Sequence, residues 1–569
     1  MLAQNLTNLR NLTLNFVDMS DVALPSFLNL TSSLERLSLR DCQLQGEFPS
    51  EVFCLPYLQH IDLGSNQNVT GYLPKTNLSS GLKLLDLTSC RFKGPIPASL
   101  WNLTQLIFLD FSYNDFGGQI PDAFRNLNKL TFLLFSSSSF SGQLPTTMFN
   151  LTQLTKLDLS YNRLEGPLPN HVSELLLLEE VWLSNNLLSG GVPSWPFTLP
   201  SLQDLRLSYN KLIGPIDQIQ TPNSVRYIDL SFNDIHGPIP SSFFDLMNLE
   251  ELDLSSNNLI GVIKSNMLAK LKNLMYLDLS NNILLSLSSS GDGENYSFPQ
   301  LVKVSFSSCN IRQFPSFFRT SNLKDLDLSN NKIRGGISKW EAEGWERLIK
   351  LNLSYNFLTT LEQFPGKNLQ VLDLRSNLLR GPILSTWLNL QNPNPPPSFT
   401  EFLISKNNLT GNILPLICNW SLLTRLDLSR NNLDGAIPEC LGHFSYLRYM
   451  NLEMNKFYGK IPDLFTDNRL SYLLLNDNQL EGLLPRSLAN CSILVLLNLR
   501  NNKLNDTFPY WLASRPMLQV LLLRNNSLHS PMPNSIASSN FSTLRVLDLS
   551  HNELTGPLPT LFVSSVTAN

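Results

Sequence analysis

The stretch LDLSRNNLDGAIP, residues 426–438, decides the fold because it returns along the whole chain. Close relatives of it begin at Leu157 (LDLSYNRLEGPLP), Leu252 (LDLSSNNLIGVI) and Leu547 (LDLSHNELTGPLP). A self-similar period has to be measured before anything else, because a missed repeat leads to the wrong fold.

The period is followed most easily at the position of Asn431. Equivalent positions run from Val17 to Asn552, and between Cys42 and Asn210 each step is about 24 residues. One coil of this length cannot bury its apolar face alone, so neighbouring coils must stack. The sequence therefore predicts one solenoid over residues 1–569 with about 23 coils.

Each position of the repeat has a physical reason. Leu426 and Leu428 alternate with polar residues, which is the pattern of a short strand with one buried face. The amide of Asn431 offers donors and an acceptor to the backbone of a buried turn. Gly435 permits a positive φ where the chain swings away, and Pro438 fixes an extended backbone that needs no donor. The strands should stack in parallel, with the marker asparagines in a buried ladder.

Composition excludes several function classes. Charged residues make up 15% of the chain and the net charge is −4, which gives no electrostatic footprint for nucleic acid or an acidic membrane. The six histidines are scattered outside any nucleophile, metal or phosphate motif, and no cysteine spacing fits zinc. We therefore expect no enzyme, no metal and no cofactor.

The full pattern LxxLxLSxNxLxGxIP, with Gly166 and Pro169 or Gly435 and Pro438 in its last positions, resembles the plant-specific extracellular leucine-rich repeat. Within that class the chain resembles the ectodomain of plant receptor-like proteins of the disease-resistance type. The resemblance implies a leucine-rich-repeat solenoid of the α/β type, a horseshoe or superhelix with short parallel strands on its concave face.

The same resemblance implies a function and a location. Receptor-like proteins of this type lie at the extracellular face of the plasma membrane, bind a peptide, protein or glycan ligand, and signal in defence or development through partner receptor kinases. The sequence shows no signal peptide and no apolar run of the ~18 residues that a membrane span needs. We therefore expect a partial ectodomain, uncapped at both ends, whose membrane attachment depends on an anchor missing from this chain. A secreted inhibitor of microbial wall-degrading enzymes and a nonfunctional truncated fragment are the alternatives.

Two segments interrupt the repeat register. Residues 286–298 are predicted to form a polar loop insertion and residues 389–399 a proline-rich loop insertion.

Specificity should lie where outward-facing strand positions depart from the repeat. The first such run predicts an aromatic patch rimmed by charge, a type of surface that marks interfaces, with Lys156 interrupting it. Its residues are Phe108, Phe132, Leu134, Glu180, Trp182, Asp204, Arg206 and Tyr227. The alternative is that exposed aromatic residues are scattered at random along the strands.

A second run near the end predicts a docking site for a partner or a ligand carboxylate. Its residues are Tyr449, Tyr472, Leu474, Arg500, Leu522 and Arg524. Arg500 and Arg524 occupy the same position in adjacent coils and repel each other unless an anion lies between them. The alternative is that Glu453 and Asp477 neutralise them within the chain.

Cysteines and sequons complete the predicted sites. Cys418 and Cys440 lie on successive coils and form a candidate disulfide, although their phases relative to the marker differ by two residues. Eight sequons share one phase, twelve or thirteen residues before the marker, and predict glycans on one flank. They are Asn5, Asn29, Asn77, Asn102, Asn150, Asn419, Asn490 and Asn540. The alternative is that NLT is simply a good turn sequence at that position.

Overall fold

A computed structural model describes residues 8–556 of the protein, except 289–297, 299, 316–321, 338–344, 362–367, 384–398, 414, 464, 466–468, 532–540 and 542. The chain divides into two compact units, residues 1–286 and 287–569.

In the first unit each coil contributes one three-residue strand to a parallel sheet. The strands are Asn11–Thr13, Arg36–Ser38, His60–Asp62, Leu84–Asp86, Phe108–Asp110, Phe132–Leu134, Lys156–Asp158, Glu180–Trp182, Asp204–Arg206, Tyr227–Asp229, Glu251–Asp253 and Tyr276–Asp278. Equivalent residues pair without a shift, so that Leu109, Leu133 and Leu157 lie side by side. These leucines are fully buried, and the residues that alternate with them lie on the other face of the sheet. Each repeat position therefore becomes a column of side chains across the sheet.

The marker asparagines form the predicted ladder between coils. Asn186 Nδ2 donates to the carbonyl oxygens of Leu159 at 2.9 Å and Leu183 at 3.1 Å, and its Oδ1 accepts from the Leu164 N–H at 3.0 Å. One amide thus joins its own turn to the preceding coil. Where Cys90 takes this position, its sulfur donates to the Leu63 carbonyl at 3.2 Å. Cys90 and Leu63 are 27 residues apart, as are Asn186 and Leu159.

The residue before each marker adopts the left-handed backbone region. Tyr113, Tyr161 and Tyr209 have φ of 55°, 55° and 53°. The left-handed region costs an L-residue roughly 1–2 kcal/mol relative to a right-handed one. The stacked coils impose this turn on bulky residues, although the repeat carries no glycine there.

A second layer follows the turn. It is an eleven-stranded sheet that consists of Gln45–Glu47, Asn68–Gly71, Arg91–Gly94, Asp115–Gln119, Ser139–Gln143, Arg163–Pro167, Leu187–Gly190, Lys211–Gly214, Asp234–Pro238, Asn258–Ile263 and Leu284–Leu287. Short 3-10 helices return the chain: Leu24–Asn29, Ser50–Cys54, Ala98–Asn102, Phe124–Asn126, Thr146–Asn150, Trp195–Phe197 and Ser241–Asp245, with one α-helical turn at Ser265–Leu268. Between the layers Phe111 stacks on Phe135 with ring centroids 5.3 Å apart, and both are fully buried.

The second unit has the same strand per coil. Its strands are Lys303–Ser305, Asp325–Asp327, Lys350–Asn352, Val371–Asp373, Glu401–Leu403, Arg425–Asp427, Tyr449–Asn451, Tyr472–Leu474, Leu496–Asn498, Val520–Leu522 and Val546–Asp548. Together with those of the first unit they match the 23 predicted coils.

The second layer of this unit is divided into small sheets. Its pairings are Arg334–Ile337 with Phe357–Leu361; Arg380–Pro382, Asn408–Asn412 and Asn432–Asp434; Tyr458–Gly459, Gln479–Gly482 and Lys503–Leu504; and His529–Pro531 with Glu553–Thr555. The 3-10 helices are Trp345–Arg347, Pro415–Asn419, Glu439–His443, Arg486–Asn490 and Tyr510–Ser514. Coil length varies more in this unit, and unequal coils cannot keep their second strands in register.

Most of the two predicted loop insertions falls outside the described residues. At the edges of the first, residues 286 and 287 end a strand and Phe298 is buried. At the edge of the second, Phe399 is fully buried. That 1–569 forms a single uncapped solenoid stays a prediction.

Candidate ligand-binding faces

Aspartate is the commonest residue at the last position of these three-residue strands, and it is there for a local reason. Asp110 Oδ1 accepts a hydrogen bond from the N–H of Ser112 at 2.8 Å, and Asp253 from Ser255 at 2.9 Å. Asparagine performs the same role at Asn451, whose Oδ1 accepts from the Glu453 N–H at 3.0 Å. A side chain that cannot accept gives up this bond, so such replacements are the positions to inspect.

Burial also changes the acidity of this column. It raises the pKa of Asp110 to about 6 and that of Asp253 to about 6, with neighbouring carboxylates adding to the effect. These groups belong to the repeat and not to a catalytic pair, because each is held by its own turn.

The first patch begins with Phe108, Phe132 and Leu134. The two phenylalanines are the first residues of their strands, and Leu134 takes the last position, where aspartate is common. Phe108 and Phe132 are paired across neighbouring strands, with ring centroids 5.5 Å apart. Leu134 lies between Asp110 and Asp158 in the next column. All three predicted residues are half-buried and give this part of the sheet an apolar surface.

The centre of the patch is Trp182, which lies between two cations. The ammonium of Lys156 lies 3.5 Å from the centre of the indole ring, and the guanidinium of Arg206 lies 5.3 Å from it. Glu180 is 2.6 Å from the Lys156 ammonium, and Asp204 receives the Arg206 guanidinium at 3.0 Å. We call these five residues the Trp182 cluster.

Lys156 is the residue whose role the sequence analysis missed. It was read as an interruption of the aromatic run, but it joins Glu180 to Trp182. The pairing of strands could have indicated this, since Lys156 lies directly opposite Glu180 and two residues before Asp158, which is paired with Trp182.

Tyr227 is in the predicted column but makes different contacts. Its hydroxyl donates to Glu250 Oε2 at 3.0 Å, and Arg226 binds the same carboxylate at 2.7 Å. The hydrogen bond to Glu250 raises the pKa of Tyr227. Tyr227 therefore belongs to a polar group at the start of its strand, together with Glu250 and Arg226.

Exposed aromatic residues at the left-handed positions extend the first face. Tyr113, Tyr161, Tyr209 and Phe232 are all exposed, and Tyr209 stacks on Phe232 with centroids 4.1 Å apart. The sequence analysis did not single out these rings. Their unusual backbone region was not visible in the sequence, because glycine is absent there.

In the second unit the predicted residues are only partly brought together. Tyr449 and Tyr472 are cross-strand neighbours with ring centroids 6.2 Å apart. Leu474 and Leu522 are separated by Asn498, to which both are paired.

The two arginines of this face have different surroundings. Arg500 lies 3.8 Å from Asp477, while Arg524 has no ion pair within the described part of the chain. Glu453 binds Arg430 at 3.4 Å, so it is not the anion for Arg500 or Arg524 that the sequence suggested.

The structure joins Cys418 to Cys440 through a disulfide, with Cα atoms 5.5 Å apart. The phase difference between them does not prevent the bond, because one lies near the end of a 3-10 helix and the other near the start of the next.

The described sequons of common phase, Asn29, Asn77, Asn102, Asn150, Asn419 and Asn490, are all exposed. All but Asn77 are the last residue of a 3-10 helix. Asn5 and Asn540 lie outside the described residues. The shared phase therefore corresponds to a shared structural position on the side that bears the 3-10 helices.

The described residues contain neither a candidate metal site nor a candidate membrane span. No three His, Cys, Asp or Glu side chains in these ranges are grouped so that they could hold a metal ion. No helix in the described part of the chain is long and apolar enough to cross a membrane.

The repeats match known families and proteins. A family model described as "Leucine rich repeat" covers residues 223–284, and another described as "Leucine Rich Repeat" covers residues 33–55, 81–103, 105–127, 153–175, 322–341, 422–444, 469–491 and 543–564. Receptor-like protein 35 of Arabidopsis thaliana is 35% identical over 299 residues, which are 52% of this chain and 29% of the relative. Receptor like protein 27 of the same plant is 39% identical over 308 residues, 52% of this chain and 36% of the relative. The chain spans about a third of the length of these relatives.

Solved structures with the same fold are plant receptor ectodomains. The leucine-rich-repeat ectodomain of the Arabidopsis thaliana receptor kinase GASSHO1/SCHENGEN3, in complex with CASPARIAN STRIP INTEGRITY FACTOR 2, is 29% identical with a TM-score of 0.73 over 98% of this chain and 69% of that chain. The plant peptide hormone receptor RGFR1, in complex with RGF2, is 27% identical with a TM-score of 0.74 over 98% and 92%. The Arabidopsis receptor kinase HAESA, with the peptide hormone IDA and the co-receptor SERK1, is 28% identical with a TM-score of 0.65 over 99% and 90%.

These findings confirm the predicted leucine-rich-repeat solenoid. They also confirm the predicted similarity to plant leucine-rich-repeat receptor-like proteins.

Proposed function

We propose that this chain is part of the extracellular, ligand-binding region of a plant cell-surface receptor-like protein that signals in defence or development through partner receptor kinases. The similarity to receptor-like proteins and the peptide complexes of the solved ectodomains support a binding role over a catalytic one. Attachment to the plasma membrane is part of the same proposal.

The Trp182 cluster carries this proposal. Trp182 and Arg206 occupy positions where aspartate would hold the turn, so the chain gives up local hydrogen bonds at two successive strands. The gain is a large ring held between Lys156 and Arg206, and Lys156 is paired on its other side with Phe132 of the Phe108 and Phe132 pair. Aromatic residues and arginine dominate the energetics of protein interfaces. The surface suits an extended peptide or protein segment that carries both apolar and charged groups.

The second unit supplies the proposed partner surface. Tyr449, Tyr472 and Leu474 are outward-facing and at least partly exposed, and Arg500 and Arg524 are exposed. We assign docking of a receptor kinase to this face, with Leu522 at its edge. The six exposed sequon positions are the proposed glycosylation sites.

The proposal is tested by selecting a displayed random-peptide library against the full chain. The enriched peptides are then measured against Trp182→Ala and Phe132→Ala. We expect each substitution to weaken binding by at least about tenfold, since buried aromatic contacts in interfaces are commonly worth 2 kcal/mol or more. Circular dichroism and thermal unfolding check that the variants remain folded.

Tyr276→Ala is the matched control. Tyr276 occupies the same column as Phe132, is exposed, and lies four strands beyond Trp182. Equal affinity of the peptides for wild type, Trp182→Ala and Phe132→Ala would rule out the Trp182 cluster as the ligand site. So would a loss of affinity in Tyr276→Ala as large as the loss in Trp182→Ala and Phe132→Ala.

A further inference from the structure

A cleft of about 610 Å³ lies at the start of three strands in the second unit. Three arginines and three tyrosines line it: Arg425, Arg448, Arg469, Tyr446, Tyr449 and Tyr472. The sequence analysis predicted only Tyr449 and Tyr472 as site residues. The cleft shows that these two rings form part of a basic surface beside the strands.

The backbone under the cleft is held firmly. The Thr424 carbonyl accepts from the N–H groups of Arg448 at 2.9 Å and Tyr449 at 3.2 Å. The Arg448 carbonyl accepts in turn from Ser471 at 2.9 Å and Tyr472 at 3.0 Å. The positions from which the side chains project are therefore fixed by the sheet, as a preformed binding site requires.

Positive charge in the cleft exceeds negative charge. Arg425 lies 3.6 Å from Glu401, and its guanidinium is 5.5 Å from the Tyr449 ring. Arg469 lies 5.9 Å from the centre of the Tyr446 ring. Arg448 and Arg469 are exposed and form no ion pair with the residues that the structure describes. By contrast, Arg206 on a strand of the first unit is paired with Asp204.

The spacing of these cations fits an extended chain. Arg448 and Arg469 come from successive coils, which follow one another at about 4.8 Å, and Arg425 comes from the coil before them. An extended peptide places alternate side chains on one face about 6.7 Å apart. Long, flexible arginine side chains can take up the difference, so two carboxylates on alternate residues can each reach one guanidinium. Guanidinium groups stay charged and fork to carboxylates.

The walls between the arginines are aromatic. Tyr446 is 48% exposed and Tyr472 is 41% exposed, which leaves ring surface for an apolar side chain between two acidic ones. Three cations in so short a span are too few for a nucleic acid or a membrane surface, whose binding relies on many charges.

We propose that this cleft binds an extended acidic segment of a partner protein, with carboxylates on alternate residues held by Arg448 and Arg469 and apolar side chains against the tyrosines. The inference deepens the partner-docking role proposed for this unit and rests on it. It names the chemistry of the partner at a site that does not include Arg500 or Arg524.

The test uses the full chain and a fluorescein-labelled peptide of alternating glutamate and leucine. A glutamine and leucine peptide of the same length and a galacturonic-acid oligomer are the other probes. We expect fluorescence anisotropy to show binding of the acidic peptide alone. Arg448→Gln with Arg469→Gln should weaken it by at least about tenfold, since charge-assisted hydrogen bonds are worth about 1.5–3 kcal/mol.

Arg380→Gln with Lys460→Gln is the matched control. Both residues are exposed in the same unit but do not line the cleft, and the two substitutions remove the same amount of charge as the cleft variant. Affinity within about twofold of wild type is expected for it. Absence of acidic-peptide binding, equal binding by the cleft variant, or equal binding of the glutamine peptide would overturn the proposal. Binding of the uronate oligomer in place of the peptide would also overturn it, and would assign the cleft to a polysaccharide. Peptide selection at Trp182 is independent of all these outcomes, so the two proposals fail separately.

Discussion

Replacing Asn186 by alanine should weaken the contact between two adjacent coils of the first unit. The substitution leaves the buried Leu164 N–H without its acceptor and removes donation to the Leu159 and Leu183 carbonyls. An orphaned buried donor costs about 1–3 kcal/mol, and each lost hydrogen bond roughly 1 kcal/mol more. The expected loss is therefore roughly 3–5 kcal/mol in the free energy of local opening.

Hydrogen exchange with mass spectrometry measures this locally, which suits a repeat protein whose unfolding need not be two-state. Protection should fall around residues 159–188 and stay unchanged near Tyr276. Asn186→Cys is the matched control, because Cys90 already occupies the equivalent position and donates to Leu63. Burial raises the pKa of Cys90 to about 12, so its sulfur keeps the proton that it donates.

We expect the cysteine variant to lose about half as much protection energy as the alanine variant, since it keeps a donor and loses the acceptor. Unchanged protection in Asn186→Ala, or equal losses in the two variants, would refute the claim that side-chain hydrogen bonds hold adjacent coils together.

Other predictions concern pH, the disulfide and glycosylation. Because burial raises the folded-state pKa of Asp110 from 3.8 to about 6, its contribution to stability is full below pH 3.8 and is lost as pH rises through about 6. Asp110→Asn should therefore raise the free energy of unfolding at pH 7, by at most about 3 kcal/mol, and leave it unchanged at pH 3.5. An equal change in the free energy of unfolding at both pH values, measured by thermal unfolding, would contradict the assignment. Cys418→Ser should destabilise the second unit by about 3 kcal/mol in denaturant unfolding, and adding Cys440→Ser should cost little more. In protein produced in plant cells, glycopeptide mass spectrometry should find a glycan at the exposed Asn102 and none at the sequon of Asn352, whose amide donates to Asp327 at 3.0 Å within a strand; the reverse occupancy would contradict the proposed glycan flank.

Much of the architecture could be predicted from short-range pattern. The alternation around Leu426 and the recurring amide at Asn431 define strand, turn and stacking, because burial and hydrogen bonding leave a repeated coil few other arrangements. The in-register pairing of Phe108 with Phe132, and of Tyr449 with Tyr472, also follows from their equal distance before the marker position.

Other features could not be predicted from the sequence. The left-handed turn at Tyr113 carries none of the residues that usually announce it. Glu453 was expected near Arg500 but lies against Arg430, since a long side chain can reach several neighbours and the local packing selects one.

By itself the sequence determined the repeat, the number of coils, the buried leucines and the columns in which exceptional residues lie. These depend on period and burial, which are properties of the chain read in order. Only the tertiary structure decided that Lys156 and Arg206 both lie against Trp182, and that Arg425, Arg448 and Arg469 line one cleft. Such groupings depend on rotamers and on contacts between coils, which a one-dimensional pattern does not specify.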